Sequence, residues 1–366
     1  MKTQIARVMP DQYLEIPEEE LVARIKEHKA ELGERLVLLT HHYQRPEIVA
    51  LGDFVGDSFG LSRDAARQTK AKDIVFCGVH FMAESAAILA GPGQRVSMPD
   101  LRAGCPMANM AEIEEVERAW SDLASIGRQE GVIPLTYMNS HAELKAFCGR
   151  NEGSVCTSTN AGPAFEWAFK RGDRVFFFPD EHLGRNTANA LKIPRDKVVI
   201  YDPEDEMGGL SPEELGQARA ILWKGYCHVH THFRPEHVNR VRQRHPGVMV
   251  VVHPECTEDV VDLSDAAGST EFIVRYVENA PAGATIAIGT ELNLVQRLAL
   301  EHPDKKIFEL ARSLCPNMFR INLRNLLWLL DHLGEVNIVT VPEAVASEAR
   351  VALERMLSIT AARAED

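Results

Sequence analysis

The 366-residue chain lacks any apolar run of about eighteen residues, so no segment is long and apolar enough for a transmembrane helix. Basic charge is short as well: 40 Lys and Arg stand against 53 Asp and Glu, giving a formal net charge of −13 and a sequence pI near 5.6. That balance argues against nucleic acid and anionic membranes as partners, while a small anionic substrate needs only a local cluster of donors. Cysteine is sparse and odd in number, with seven residues at 77, 105, 148, 156, 227, 256 and 315. So thin a spread is no disulfide framework; it points to a reducing, cytoplasmic setting and to metal binding or catalysis as the work of these thiols. The opening residues carry one short apolar patch before the acids Glu18, Glu19 and Glu20, unlike a secretion signal.

Apolar content of 45% and charged content of 25% are ordinary globular values, and the length suits two or three domains. A leader over 1–19 precedes an expected helix from Glu18 to Leu32 that stops at Gly33. The chain then repeats one order three times. In the first pass a strand at Arg35–Thr40 runs into His41-His42-Tyr43-Gln44-Arg45-Pro46-Glu47, and a tight turn over Gly52–Ser58 opens a helix. Strands at Asp73–Val79 and Arg95–Met98 flank a helix over His80–Leu89, and the pass closes at Cys105-Pro106. In the second, Ile133–Thr136 leads into Tyr137-Met138-Asn139, Ser154–Cys156 into Thr157-Ser158, and Arg174–Phe178 follows. An inserted strand near Val198–Asp202 precedes the stretch Trp223-Lys-Gly-Tyr-Cys227-His228-Val-His230-Thr-His232. In the third, Val248–Val252 leads into His253-Pro254-Glu255-Cys256, Gly268-Ser269-Thr270 opens a helix, strands follow at Thr285–Gly289 and Lys306–Phe308, and the pass closes at Cys315-Pro316.

Helix-opening glutamates at 47, 143 and 258 are followed by hydroxyl turns at Ser58, Ser158 and Ser269, after eleven, fifteen and eleven residues. Strands alternating with helices in this way imply parallel βαβ units with right-handed crossovers. The expected fold is α/β: three similar doubly wound αβα domains, each on a short parallel sheet, around a pseudo-threefold axis. Their bounds are read as 20–115, 116–230 and 231–319, with a C-terminal helical closing segment over 320–366. Gly149–Gly153 and Tyr201–Gly216 read as insertions on the outer surface.

Ligands of parallel α/β sheets bind beyond the carboxyl ends of the strands, where helix N-termini present N–H groups. The unusual polar residues of each pass lie there, and domains facing one axis would bring the three closing cysteines together. Three thiolates suit a [4Fe–4S] cluster with one iron left open, since a structural zinc site wants four protein ligands. Cys256, directly after His253-Pro254-Glu255, is the competing ligand. Cys77, Cys148 and Cys156 read as structural, and Ser58, Ser158 and Ser269 serve either as helix N-caps or as anion ligands.

Taken in order, His41-His-Tyr43-Gln44, Gly56-Asp57-Ser58, Cys105-Pro-Met-Ala, Thr136-Tyr137-Met-Asn139, Cys156-Thr-Ser158-Thr-Asn160, Gly225-Tyr-Cys227-His228-Val-His230, His253-Pro-Glu255, Gly268-Ser269-Thr270, Ile288-Gly-Thr290-Glu291 and Cys315-Pro-Asn-Met318 resemble the quinolinate synthase family of NAD biosynthesis. The resemblance runs from about residue 36 to 320. It implies condensation of iminoaspartate with dihydroxyacetone phosphate to quinolinate, phosphate and water, and a functional link to an L-aspartate oxidase. It also implies one [4Fe–4S] cluster on Cys105, Cys227 and Cys315. Residues implied to line the substrate cavity are His41, Tyr43, Ser58, Tyr137, Asn139, Ser158, His228, His253, Glu255, Ser269 and Thr270. Among these Tyr137 and Glu255 are the implied acid/base groups, with catalytic parts also for His253 and Tyr43. His42 and Phe319 depart from residues frequent in the family. Two other readings share some of these features: an iron–sulfur hydro-lyase, which would need no triose phosphate, and an iron–sulfur sensor, which would need a DNA-binding or partner module that the acidic chain does not suggest.

Overall fold

The computed structural model describes residues 9–361; the first eight residues of the leader and the last five of the closing segment lie outside them. Among the described residues, thirteen strands form three sheets in which every strand pairing is parallel. The first sheet takes β1 (Leu36–His41), β2 (Phe54–Gly56), β3 (Asp73–Cys77) and β4 (Arg95–Ser97), with helices α1 (Glu18–Leu32), α2 (Pro46–Val49), α3 (Ser58–Arg67) and α4 (His80–Leu89). The second takes β5 (Val132–Tyr137), β6 (Ser154–Cys156), β7 (Arg174–Phe178), β8 (Val198–Tyr201) and β9 (Ala220–Trp223). Its helices are α5 (Ile113–Ser125), α6 (Ala142–Arg150), α7 (Ala161–Phe169), α8 (Glu181–Ala190) and α9 (Pro212–Gln217). The third takes β10 (Met249–Val252), β11 (Ala266–Ala267), β12 (Thr285–Gly289) and β13 (Lys306–Glu309), with α10 (Pro235–Arg244), α11 (Glu258–Leu263), α12 (Thr270–Asn279) and α13 (Leu292–Glu301). Helices α14 (Leu323–Asp331) and α15 (Glu343–Ala361) complete the chain.

Strand orders are β2-β1-β3-β4, β6-β5-β7-β9-β8 and β11-β10-β12-β13, so one topology occurs three times and β8 is an extra edge strand on the middle copy. The central strands carry apolar runs (Leu-Val-Leu-Leu in β1, Val-Phe-Phe-Phe in β7, Val-Val-Val in β10) because helices cover both faces of a parallel sheet. The fold is therefore the expected α/β class with three αβα layers.

Several local expectations needed correction. Gly52–Ser58 is not simply a turn, because Phe54–Gly56 pairs with β1 as an edge strand. Helices α5, α8, α9, α10 and α13 and strand β9 were not anticipated. Gly149–Gly153 is not an outer-surface insertion either. Helix α15 packs on α6 so closely that a Cβ on Gly149 would lie 1.9 Å from the Glu348 carbonyl oxygen, and Arg355 Nη1 donates to the Gly153 carbonyl at 2.7 Å.

The chain divides into two compact units, one ending at Cys105 and resuming over Cys315–Pro342, the other comprising Pro106–Leu314 and the chain from Glu343. In the first, α14 buries Leu326, Leu327, Leu329 and Leu330, and its terminal Asp331 accepts from Tyr13, Arg24 and His28 at 2.7–2.8 Å, which fixes α1. The second holds both the second and the third sheet.

Candidate active site

In each sheet the chain steps from its first strand to a neighbour on one side, then crosses to the other. This reversal opens a crevice beyond the carboxyl ends of the first and third strands. Register places Thr40 beside Cys77, Thr136 beside Phe178 and Val252 beside Gly289. The next residues along the first strands are His41, Tyr137 and His253, so these three hold equivalent slots.

Two of the slots are built by the same turn. The backbone N–H of Tyr43 donates to His41 Nδ1 at 3.1 Å, and that of Glu255 donates to His253 Nδ1 at 3.3 Å. The N–H groups of Gln44 and Cys256 donate to the carbonyls of His41 and His253 at 2.9 and 3.0 Å. An Nδ1 that accepts leaves the proton of a neutral imidazole on Nε2, and His253 Nε2 faces Ser158 Oγ at 3.2 Å. The middle slot is built otherwise: Ser140 Oγ donates to the Tyr137 carbonyl at 2.8 Å and meets Thr136 Oγ1 at 2.9 Å, while the fully buried Lys145 ammonium donates to the Ser140 carbonyl.

The second unit joins the ends of its two sheets through one carboxylate. Tyr137 O–H donates to Glu255 Oε1, His230 Nδ1–H donates to Glu255 Oε2 at 2.8 Å, and His230 Nε2 faces Thr290 Oγ1 at 3.2 Å. His230 and His253 stack with ring centroids 4.3 Å apart. Glu255, His230 and His253 are 2%, 2% and 1% exposed, so they act on one another with little screening by water. Burial opposes ionisation of Glu255, but the two imidazoles and the hydrogen bonds from His230 and Tyr137 outweigh it and hold the carboxyl below its usual range. Burial and the neighbouring His230 push His253 down to about 3, so its imidazole is neutral. Asp180, two residues past β7 and the N-cap of α8, moves oppositely to Glu255: burial and then the charge of Glu255 push it well above the carboxylate range. Environments that separate two carboxyls in this way suit one as base and one as acid.

The cysteines fall into two groups. Cys77, Cys148, Cys156 and Cys256 are fully buried and burial pushes their thiols up, Cys77 to about 12. Cys105, Cys227 and Cys315 are partly exposed. Each follows by two residues a carbonyl tied to the start of the helix after the third strand. His80 N–H donates to Ala103 at 2.8 Å, Glu181 N–H to Gly225 at 2.9 Å and Leu292 N–H to Ser313 at 2.9 Å. The three closing cysteines thus occupy one structural position in three copies, at the same end of each sheet as the polar slots. A thiolate ligand needs a reachable sulfur, which each of these three offers and the buried four do not. Cys256 packs in the apolar core of the third sheet with Val250, Val252 and Ala287. Cys227 Sγ, a His230 nitrogen and a Glu255 oxygen lie within 4.8 Å of one another, so the carboxylate network adjoins one of these thiols.

A family profile described as "Quinolinate synthetase A protein" matches residues 23–358. The chain belongs to the quinolinate synthase family. It is 52% identical over 357 residues to a quinolinate synthase of Acidobacterium capsulatum, covering 95% of each chain. Identity is 50% over 361 residues to that of Corynebacterium glutamicum, covering 97% of this chain and 92% of the relative. For the enzyme of Geobacillus thermodenitrificans it is 48% over 358 residues, covering 96% of each.

Within this quinolinate synthase family member, the second unit brings together Tyr137, Ser158, His253 and Glu255 of the expected cavity residues. His41 and Tyr43 meet in the first unit, with ring centroids 4.8 Å apart and planes at 76°. Ser58 opens α3 behind its N-cap Asp57, while Ser269 is itself the N-cap of α12, its Oγ accepting from Phe272 N–H at 3.3 Å, with the buried Thr270 next in line. Asn139 is half-buried and His228 is exposed, and partial desolvation together with the adjacent His230 lowers the imidazole of His228. Sequence reasoning missed His230, Thr290 and Asp180. The turn that follows Cys227, in which His230 N–H bonds the Cys227 carbonyl at 3.1 Å, turns the third residue rather than the first toward Glu255. Alternation in Cys-His-Val-His could not reveal that. No helix of the described residues is long and apolar enough to cross a membrane.

Proposed function

We propose that the chain condenses iminoaspartate with dihydroxyacetone phosphate to give quinolinate, phosphate and water, as a step of de novo NAD biosynthesis. The observation that carries this reading is the buried Tyr137–Glu255–His230 network beside Cys227, at the carboxyl ends of two sheets. Isomerising a ketose phosphate and closing a ring both require a proton to be taken from carbon and returned elsewhere. Glu255, held ionised, is the base, and Tyr137 is the phenol through which its proton is passed on. His253, neutral with its proton on Nε2, donates a hydrogen bond to a substrate oxygen beside Ser158. His41, built by the same turn, is a second donor of that kind. Ser58, Ser158, Ser269 and Thr270, together with the N–H groups of α3 and α12, hold the phosphate and carboxylate groups, and Tyr43, Asn139 and His228 line the cavity. Cys105, Cys227 and Cys315 would hold a [4Fe–4S] cluster whose open iron supplies Lewis acidity for loss of a hydroxyl.

The same reading takes the three sheets as domains bounded near 20–115, 116–230 and 231–319, closed by 320–366. It places the enzyme in the cytoplasm, supplied by an L-aspartate oxidase, since iminoaspartate hydrolyses readily.

Anaerobic purification with iron and sulfide analysis tests the ligand set on the wild type and on Cys105→Ser, Cys227→Ser, Cys315→Ser and Cys256→Ser. The expected result is about four irons per chain, lost in the first three variants and kept in the fourth, together with quinolinate formed from the two substrates by the wild type. A colourless zinc protein, or iron lost only in Cys256→Ser, refutes the ligand set; no quinolinate from an iron-replete wild type refutes the activity.

A further inference from the structure

Glu255 sits in a turn whose N–H groups are used internally: its own donates to His253 Nδ1 and that of Cys256 to the His253 carbonyl. The carbonyls on either side of Glu255, those of Pro254 and Cys256, leave the turn and converge on one side chain of another sheet's helix. Asn186 Nδ2, on α8, donates to both, each at 2.8 Å. A primary amide has two N–H donors on one nitrogen, and two carbonyl acceptors fix which end of the amide faces them. The same helix donates its first N–H to the Gly225 carbonyl, two residues before Cys227. One turn further along α8, Asn189 Nδ2 donates to Glu258 Oε1 at 2.8 Å on the same packing face.

We propose that Asn186 is a positioning residue that clamps the main chain on both sides of Glu255 and so sets the carboxylate against Tyr137 and His230 for proton transfer. The proposal rests on Glu255 being the base. Glu255 is 2% exposed and bonded at both oxygens, so a small shift of its backbone breaks one bond or the other. A displacement of about 1 Å in a reacting group costs on the order of 100-fold in rate.

The test compares holoenzymes of the wild type, Asn186→Asp and Asn189→Ala. Aspartate keeps the shape of Asn186 but, ionised, presents acceptors to two carbonyls. In Asn186→Asp, kcat for quinolinate formation is expected to fall about 100-fold with KM within about threefold and iron content unchanged. Hydrogen exchange at the amides of Glu255 and Cys256 should also accelerate. Asn189→Ala loosens the same helix contact without touching those carbonyls, and its kcat should stay within about twofold of wild type. An Asn186→Asp enzyme within about threefold of wild type and unchanged in exchange overturns the proposal, as does an equal loss in Asn189→Ala. Should the wild type make no quinolinate, the reading of Glu255 as its base fails, while the exchange measurement still decides whether Asn186 clamps the turn.

Discussion

The outer two sheets and the middle one use the same slot for different ends. In the first and third sheets the slot at the carboxyl end of the first strand holds a histidine whose Nδ1 is occupied by the N–H two residues on. In the middle sheet the slot holds Tyr137, and a serine hydroxyl with a buried lysine replaces the ring as the lock on the turn. The middle sheet also differs at its edges, with β8 added on one side and α15 laid over α6. Backbone topology therefore fixes where chemistry can occur, and one side chain per copy decides which chemistry. An imidazole whose Nδ1 accepts can donate only through Nε2, whereas a phenol bonded to a carboxylate can pass a proton.

The largest effect is expected from erasing this difference. Tyr137→Phe leaves Glu255 without its phenol, and Tyr137→His makes the middle slot resemble the outer two. Both should lower kcat by about 1000-fold, within the usual range for losing an acid/base group, with iron content intact. Gly149→Ala attacks the second peculiarity of the middle sheet. Alanine ordinarily stabilises a helix interior relative to glycine, but here its Cβ would meet the Glu348 carbonyl, so unfolding by denaturant should show a loss of about 1–3 kcal/mol.

A pH experiment separates the copies further. His253 is held at about 3 in the folded chain against an ordinary 6.5, so the unfolded chain binds the extra proton between those values. Stability is then full above 6.5 and falls as pH drops, by up to about 1.4 kcal/mol per unit. Denaturant midpoints measured from pH 7.5 to 5 should show that slope in the wild type and a flatter one in His253→Asn, whereas Tyr137→Phe should keep the slope. The smallest effect belongs to Cys256→Ala, for which a stability loss of about 1 kcal/mol and an unchanged iron content are expected.

Much of the fold was legible because buried parallel strands read as short apolar runs and because some helix starts carried acids, as in α1; α4 also falls where expected, with no acid in its first turn. What was missed had weak local signals. Helix α8 contains Gly184, Asn186, Thr187 and Asn189, poor helix formers; Asn186 and Asn189 bond the Pro254 and Cys256 carbonyls and Glu258, and a Cβ on Gly184 would lie 2.7 Å from Leu222 and Phe177. Strand β2 is three residues long and its Phe54 and Val55 are exposed, so nothing in its pattern marked it as a strand. At the site, Tyr137, His253 and Glu255 stood out by position at strand ends. His230 did not, because its orientation depends on a turn that only the folded backbone defines, and Asp180 looked like an ordinary N-cap until Glu255 was placed near it.

The backbone anchors behind the three closing cysteines carry a consequence for what each copy can become. Each is a bond from the N–H of a first helical residue, His80, Glu181 or Leu292, to a main-chain carbonyl. Side chains take no part, so nearly any residue can stand at these positions without loosening the cysteine loop, and the copies are at liberty to drift apart in sequence while keeping one architecture. Proline alone lacks the required hydrogen. The residue most at home at the first position of a helix elsewhere is thus the one barred from all three of these.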